Sequence, residues 1–381
     1  MQHILIITTS YPTSHDGSEA AGSFVADFAT ALANQVRVTV VAPSLTAGTE
    51  QPLATLTIHR FQVPRLQLSS LKPYYPPDAL TIIKIIRAGM LALKQTVQQA
   101  PINHIFAFWV LPSGYWAKKI GERYQIPYST WALGSDIWSL GKIPLVKNAL
   151  KKVLQHSQRN FADGYLLKQS VERLSKRECY FLPSTRQLIL PQSATEKQLA
   201  TQPPYRLAFL GRWHSNKGAD LLVKSLKHLA TDDWQHIEKI KICGGGPLEK
   251  LIEAGVIALQ AENRAVELYG YLDKTAAVEL LLWADYVLLP SRIESIPVIF
   301  SDAMKCRSPI ISMPVGDLPR LVTDYQVGVL AENVSAIAFA QAIRQALQQA
   351  PLDFESGLLR ATTDFDLETI VKNWLLDLEI I

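Results

Sequence analysis

A chain of 381 residues exceeds the ~100–200 residues of one ordinary domain, so two are expected. Its 48% hydrophobic content and mean hydropathy of +0.08 exclude a disordered or fibrous chain, and no stretch reaches the ~20 uninterrupted apolar residues of a membrane-spanning helix. The net charge of +4 is uneven: residues 1–190 carry 20 Lys and Arg against 10 Asp and Glu, and the remainder 18 against 24. Either the first half meets an anionic partner, such as a phosphate-bearing lipid or acidic glycan, or its surface is merely solvated and basic.

In chain order, His3–Thr8 reads as a first buried strand, since it lacks the basic start of a signal peptide. Ser23–Ala33 repeats apolar residues at helical spacing, and Val36–Ala42, Ile58–Val63, His104–Trp109 and Tyr128–Trp131 read as strands. Ala79–Gln98 and Ser113–Tyr124 read as helices, so strand and helix alternate and predict a parallel sheet covered on both faces. The second half repeats the scheme. Strands are expected at Tyr205–Leu210, Ile240–Cys243, Val266–Tyr269, Tyr286–Leu289 and Ile310–Ile311, with helices at Gly218–Leu229 and Leu248–Leu259. Leu190–Pro204 has the Gln, Thr, Ser and Pro content of a linker, and Leu367–Leu378 reads as a last amphipathic helix. The expected division is therefore 1–190, a linker at 191–204, a second domain at 205–362, and a C-terminal helix at 363–381 packing back toward the first domain. Two such domains place a ligand cleft at the carboxyl ends of their strands.

Two segments carry chemistry. Gly211-Arg-Trp-His-Ser-Asn-Lys-Gly218 follows a strand and opens a helix, so its backbone N–H groups face any anion above it. Arg212 and Lys217 add a fork and a point charge suited to a diphosphate; the bland reading is an exposed basic turn. Ser291-Arg-Ile-Glu294-Ser-Ile-Pro297-Val-Ile-Phe-Ser-Asp302 follows another strand, with Pro297 suited to a first helical turn. Glu294 and Asp302 would lie roughly 9–12 Å apart along the axis, a span that could serve hexose and ribose hydroxyls. The alternative is an acidic helix start that complements the dipole.

The Arg-x4-Lys loop, Gly244-Gly-Gly-Pro247 and Glu294-x7-Asp302 occur in an order that resembles the retaining glycosyltransferases of the GT-B fold, family 4, the glycosyl transferases group 1. Gly22-Ser-Phe-Val, Phe108-Trp-Val-Leu-Pro-Ser-Gly-Tyr115 and Gly134-Ser-Asp-Ile137 extend the resemblance over nearly the whole chain. It implies two Rossmann-like domains facing each other across a cleft, and a metal-independent transfer of sugar from a nucleoside-diphosphate sugar, UDP-sugar favoured, with no cofactor. Arg212, Lys217 and Glu294 would be catalytic. Gly22, Gly211, Gly245, Gly246, Tyr271, Ser295, Ile296, Pro297, Val298 and Asp302 would bind the donor. The Gly22 loop would close over it, and Trp109 and Asp136 would face a glycan or lipid-linked acceptor. The family-level setting is cell-surface polysaccharide or glycolipid assembly at the cytoplasmic side, with peripheral membrane contact through the basic half, Lys147, Lys151, Lys152 and His156 included.

The chain departs from the family pattern at three places: Asp302 stands for Glu, Leu133 for His, and Arg320 for Glu in the Gly316-Asp-Leu-Pro-Arg320 loop. A degenerate nucleotide-sugar-binding subunit that activates a partner, and an epimerase on the same fold, are the alternatives. Asp364-Phe-Asp366 has the spacing of a metal-binding pair, but Asp366 is more simply a helix cap. Gly244–Gly246 lacks the pattern of a dinucleotide site. Cys179, Cys243 and Cys306 lack paired spacing and read as free thiols, with Cys243 and Cys306 in apolar segments as small core residues.

Overall fold

The structure, a computed structural model, describes residues 1–13, 19–66, 71, 75–191 and 197–380. Residues 192–196 of the expected linker lie outside these. The chain forms two compact units, one of Met1–Arg186 with Leu367–Ile381 and the other of Gln187–Asp366.

In the first unit, β1 (His3–Ile7), β2 (Arg37–Ser44), β3 (Gly48–Leu53), β4 (Leu56–Gln62), β5 (His104–Phe108), β6 (Tyr128–Ala132), β7 (Asn160–Ala162) and β8 (Cys179–Phe181) form one sheet. Their order is β3-β4-β2-β1-β5-β6-β7-β8, with only the β3–β4 pairing antiparallel among the described residues. β1 is buried throughout, as a parallel strand covered on both faces must be. Its alternation divides the core: Ile4 and Ile6 pack with the helices Glu19–Ala33 and Leu367–Asp377, while Leu5 and Ile7 join the core that includes Leu93, Trp116 and Ile120. The first helix begins at Glu19 rather than Ser23, because Glu19-Ala-Ala21 are good helix formers. Gly22 is therefore helical and not part of a loop. Aromatic rings fill the first of the two faces; Trp374 of the last helix lies 4.5 Å from the Phe106 ring and 5.9 Å from that of Phe28, centroid to centroid.

The second unit holds β9 (Tyr205–Arg212), β10 (Ile237–Gly245), β11 (Val266–Tyr269), β12 (Tyr286–Leu289), β13 (Ile310–Ser312) and β14 (Gly328–Leu330). The order is β11-β10-β9-β12-β13-β14, all parallel. Leu207, Ile240, Ile242, Val287, Leu288 and Ile310 are fully buried between its helical layers. At the amino-terminal edge Asp285 takes three hydrogen bonds of 2.8–3.0 Å from the backbone and guanidinium of Arg206. Lys197 ties the incoming chain to this unit: its ammonium donates to the carbonyls of Leu281, Ala284 and Cys306 and to Ser308 Oγ at 2.6–3.3 Å. Among the described residues no helix is long and apolar enough to cross a membrane.

Candidate active site

β9 is the central strand of the second sheet, with β10 on one side and β12 on the other, so the winding direction reverses at β9/β12. In open α/β sheets the segments leaving the carboxyl ends of strands at such a reversal splay apart and leave room for a ligand. The two segments that start there are the Gly211–Gly218 loop and the Pro290–Pro297 loop, the ones singled out from the sequence.

Arg212 ends β9 and is exposed. The loop then makes a 3-10 turn at Ser215–Lys217, in which His214 Nδ1 accepts from the Asn216 N–H at 3.2 Å. Gly218 follows at φ 70°, and a Cβ there would fall 1.8 Å from the Pro290 carbonyl oxygen, so only glycine lets the two loops touch. Lys217 donates to Glu294 Oε1 at 2.6 Å, and Ser291 Oγ donates to the same oxygen at 2.8 Å. The Lys217 side chain is 37% exposed and that of Glu294 11%, so the pair opens to solvent on the lysine side. Glu294 is also held from behind. Gly316, at φ 56°, lies where a Cβ would come within 2.3 Å of the Glu294 carbonyl, and the Asp317 N–H donates to the Ser295 carbonyl at 3.1 Å.

Pro297 caps the helix Val298–Lys305 and so stands one residue before it. Ser295, Ile296, Pro297 and Val298 lead into its first turn, whose N–H groups have no helical acceptor. Across β9, Gly245 is paired directly with Arg212. The Gly245 carbonyl accepts from the Trp213 N–H and the Tyr271 hydroxyl, both at 2.8 Å, and the Tyr271 ring lies over Gly245, where a Cβ would be 2.6 Å from it. Arg212, Gly211, Gly245, Gly246 and the largely exposed Tyr271 thus form one group, and Lys217, Glu294 and Ser295 another, at the same end of the sheet.

Three expectations are corrected, those for Asp302, Gly22 and Asp136. Asp302 is fully buried in the helix Val298–Lys305, so its carboxylate is not presented to a ribose at the surface of this structure. Arg320 pairs with Asp324 one turn along the exposed side of the helix Leu318–Tyr325. Gly22 sits inside a helix close against the Tyr11 backbone, where a Cβ would be 3.0 Å away, and does not form a closing loop. Asp136 is 1% exposed and accepts backbone N–H bonds from Val110, Leu133 and Ile137 at 2.7–3.2 Å, so it joins two loops of the first unit instead of facing an acceptor. Burial pushes its carboxyl up to about 6 against the pull of those N–H groups. Trp109, next to Val110, is half-buried at φ 67°, a conformation uncommon for a bulky residue.

The sequence reading missed Arg292 and Asp220. Their side chains form a bidentate pair at 2.6 and 2.8 Å between the two loops, and the Arg292 bonds hold Asp220 below the usual carboxylate range. Among the described residues no three His, Cys, Asp or Glu side chains converge as a metal site requires. Asp364 accepts from the Tyr325 hydroxyl at 2.6 Å, and the three cysteines are buried free thiols.

Residues 192–355 match the family described as glycosyl transferases group 1. The match spans less than half of the chain and lies within the second unit. The chain is similar to the putative teichuronic acid biosynthesis glycosyltransferase TuaC of Bacillus subtilis, 28% identical over 71% of this chain and 69% of TuaC. Relatives such as the D-inositol 3-phosphate glycosyltransferase of Corynebacterium diphtheriae, 27% identical, are spanned over only about a third of their length, 36% there, by 40% of this chain. The fold is that of GT-B enzymes. It superposes on sucrose-phosphate synthase from Thermosynechococcus elongatus with a TM-score of 0.74 at 18% identity, covering 98% of this chain and 97% of that one. On Anabaena HepE in complex with UDP-glucose the TM-score is 0.70 at 14% identity, with both chains fully covered.

Proposed function

We propose that this chain is a glycosyl transferase that moves a sugar from a nucleoside-diphosphate sugar to a hydroxyl of a glycan or lipid-linked acceptor, with retention at the anomeric carbon and without a metal. The observation that carries the reading is the Lys217–Glu294 pair, 2.6 Å long and open on the lysine side, where the strand order of the second unit reverses. Arg212 and Lys217 supply the positive charge for a diphosphate, and the first-turn N–H groups after Pro297 add donors. Glu294 accepts from sugar hydroxyls, and Tyr271 borders the nucleobase.

In the proposed step the bond between the anomeric carbon and the diphosphate oxygen breaks, giving oxocarbenium character. The acceptor oxygen bonds the same carbon from the same face, and its proton passes to the departing phosphate oxygen. Lys217 and Arg212 are most useful as charge grows on that phosphate, which is why they count toward rate as well as binding. UDP-glucose in the HepE complex supports a UDP-sugar as first choice of donor, and the name of TuaC supports cell-surface polysaccharide assembly as the setting. Peripheral contact with an anionic leaflet belongs to the same reading: Lys147, Lys151, Lys152 and His156 are all exposed on the helix Pro144–His156.

The test is the thermal shift of wild type and Lys217→Ala with UDP, GDP, ADP and CMP, each with and without an attached sugar. Ligand at ~100 times its dissociation constant stabilises by about 2.7 kcal/mol. One nucleotide should shift the wild type, and Lys217→Ala should lose a charge-assisted contact of ~1.5–3 kcal/mol, about 10- to 150-fold in affinity or rate. Full activity in both Lys217→Ala and Glu294→Ala sinks the assignment. Binding without turnover on a broad acceptor mixture moves it to the non-catalytic subunit.

A further inference from the structure

Arg292 stands two residues before Glu294, yet its side chain and backbone N–H bond to the segment that follows β9. Its N–H donates to the Asn216 carbonyl at 2.8 Å, Nη1 to the Ser215 carbonyl at 2.5 Å and to Asp220 Oδ1 at 2.8 Å, and Nη2 to Asp220 Oδ2 at 2.6 Å. These acceptors bracket Lys217 on both sides. Asp220 opens the helix Ala219–Leu226 and is 8% exposed, so one end of the pair is anchored in a buried first turn. Without it, the Gly218–Pro290 contact and the Ser291 and Gly316 supports of Glu294 would be left to fix the Lys217–Glu294 pair.

We propose that Arg292 and Asp220 are positioning residues: a planar clamp that sets the spacing between Lys217 and Glu294 and so pre-organises the diphosphate site. The proposal rests on the donor-site reading above. The guanidinium suits the task because its fork matches a carboxylate in one plane and leaves an N–H for the Ser215 carbonyl, which a lysine ammonium reaches without the fixed geometry. A site pre-ordered in this way does not spend binding energy on ordering two loops when the ligand arrives. The clamp touches no substrate and acts through the Lys217–Glu294 pair.

The experiment uses the full chain and whichever of UDP, GDP and ADP the wild type binds most tightly. Affinity is measured at 10 °C, and melting is measured without nucleotide, for Arg292→Gln, Arg292→Lys, Asp220→Asn, the double variant Asp220→Asn with Arg292→Gln, and Lys217→Ala. Arg292→Gln and Asp220→Asn should each weaken binding about tenfold while the protein remains folded at 10 °C, with Arg292→Lys intermediate. The double variant should lose no more than the worse single one, since coupled groups are not additive. Wild-type affinity in Arg292→Gln beside lost affinity in Lys217→Ala overturns the clamp, whether or not melting falls, because the pair is then merely structural. Independent, additive losses overturn it too. Unchanged affinity in Lys217→Ala, or no nucleotide bound by the wild type, instead removes the donor-site reading and the clamp with it.

Discussion

Asp285 and Glu294 are both carboxylates with a cationic partner in the second unit, but their surroundings assign them different work. Asp285 is 3% exposed at the amino-terminal edge of the sheet, where its three bonds to Arg206 join β9 to the start of β12. Asp285→Ala should cost about 3 kcal/mol of stability, the low end for a buried pair because the Arg206 side chain is 32% exposed. Nucleotide affinity should not change, since the loops lie at the opposite edge; calorimetry and titration of the same variant check both halves. Glu294→Ala should show the reverse pattern, little change in melting and a loss with sugar nucleotide greater than with the bare diphosphate. Of this residue-level picture, Lys217 and Glu294 were legible as charges at fixed spacing after strands. Arg292 and Asp220 were not. Their partners lie 72 residues apart, and only the β9–β12 adjacency turns an ordinary surface arginine into a clamp. Burial was equally hidden: Asp302 and Asp136 read as available carboxylates because a sequence does not say what packs over them.

At the scale of elements, the long apolar strands were readable because parallel strands buried on both faces are continuous apolar runs. β7, β8 and β14, at three residues each, are too short to show a period, and β3 is wholly exposed and mostly polar. The linker composition was equally plain, but the anchoring of its far end by Lys197 was not. Burial pushes that ammonium down to about 8 from the ordinary lysine value of 10.5. Between those pH values the unfolded chain binds a proton that the folded one does not, so stability rises with pH through this window and levels off above it. In Lys197→Met the contribution is absent. The difference in unfolding free energy between wild type and this variant should therefore grow in favour of the wild type from pH 8 to 10.5, by up to about 3 kcal/mol. Parallel curves would show that the ammonium in the carbonyl ring keeps an ordinary pKa.

The whole molecule is not threaded as two consecutive pieces. The chain leaves the first unit near Arg186, builds the second, and returns at Leu367 so that its last helix covers one face of the first sheet. Trp374 is fully buried there among Phe28, Phe106 and Phe161, and the helix adds Ile370, Val371 and Leu375 to the same core. The first unit is therefore incomplete until the last residues are made, whereas the second has its own sheet and core and contains both loops of the candidate site. Trp374→Ala should destabilise the first unit by about 3–5 kcal/mol, the usual cost of emptying a buried aromatic site. The second unit should keep its nucleotide-dependent stabilisation, because a ligand raises only the transition of the unit that holds it. Calorimetry with and without nucleotide separates the cases. Two transitions, one lowered by the substitution and the other still raised by nucleotide, would establish that the units unfold independently. A single transition that falls as a whole would mean that the returning helix couples them into one cooperative body.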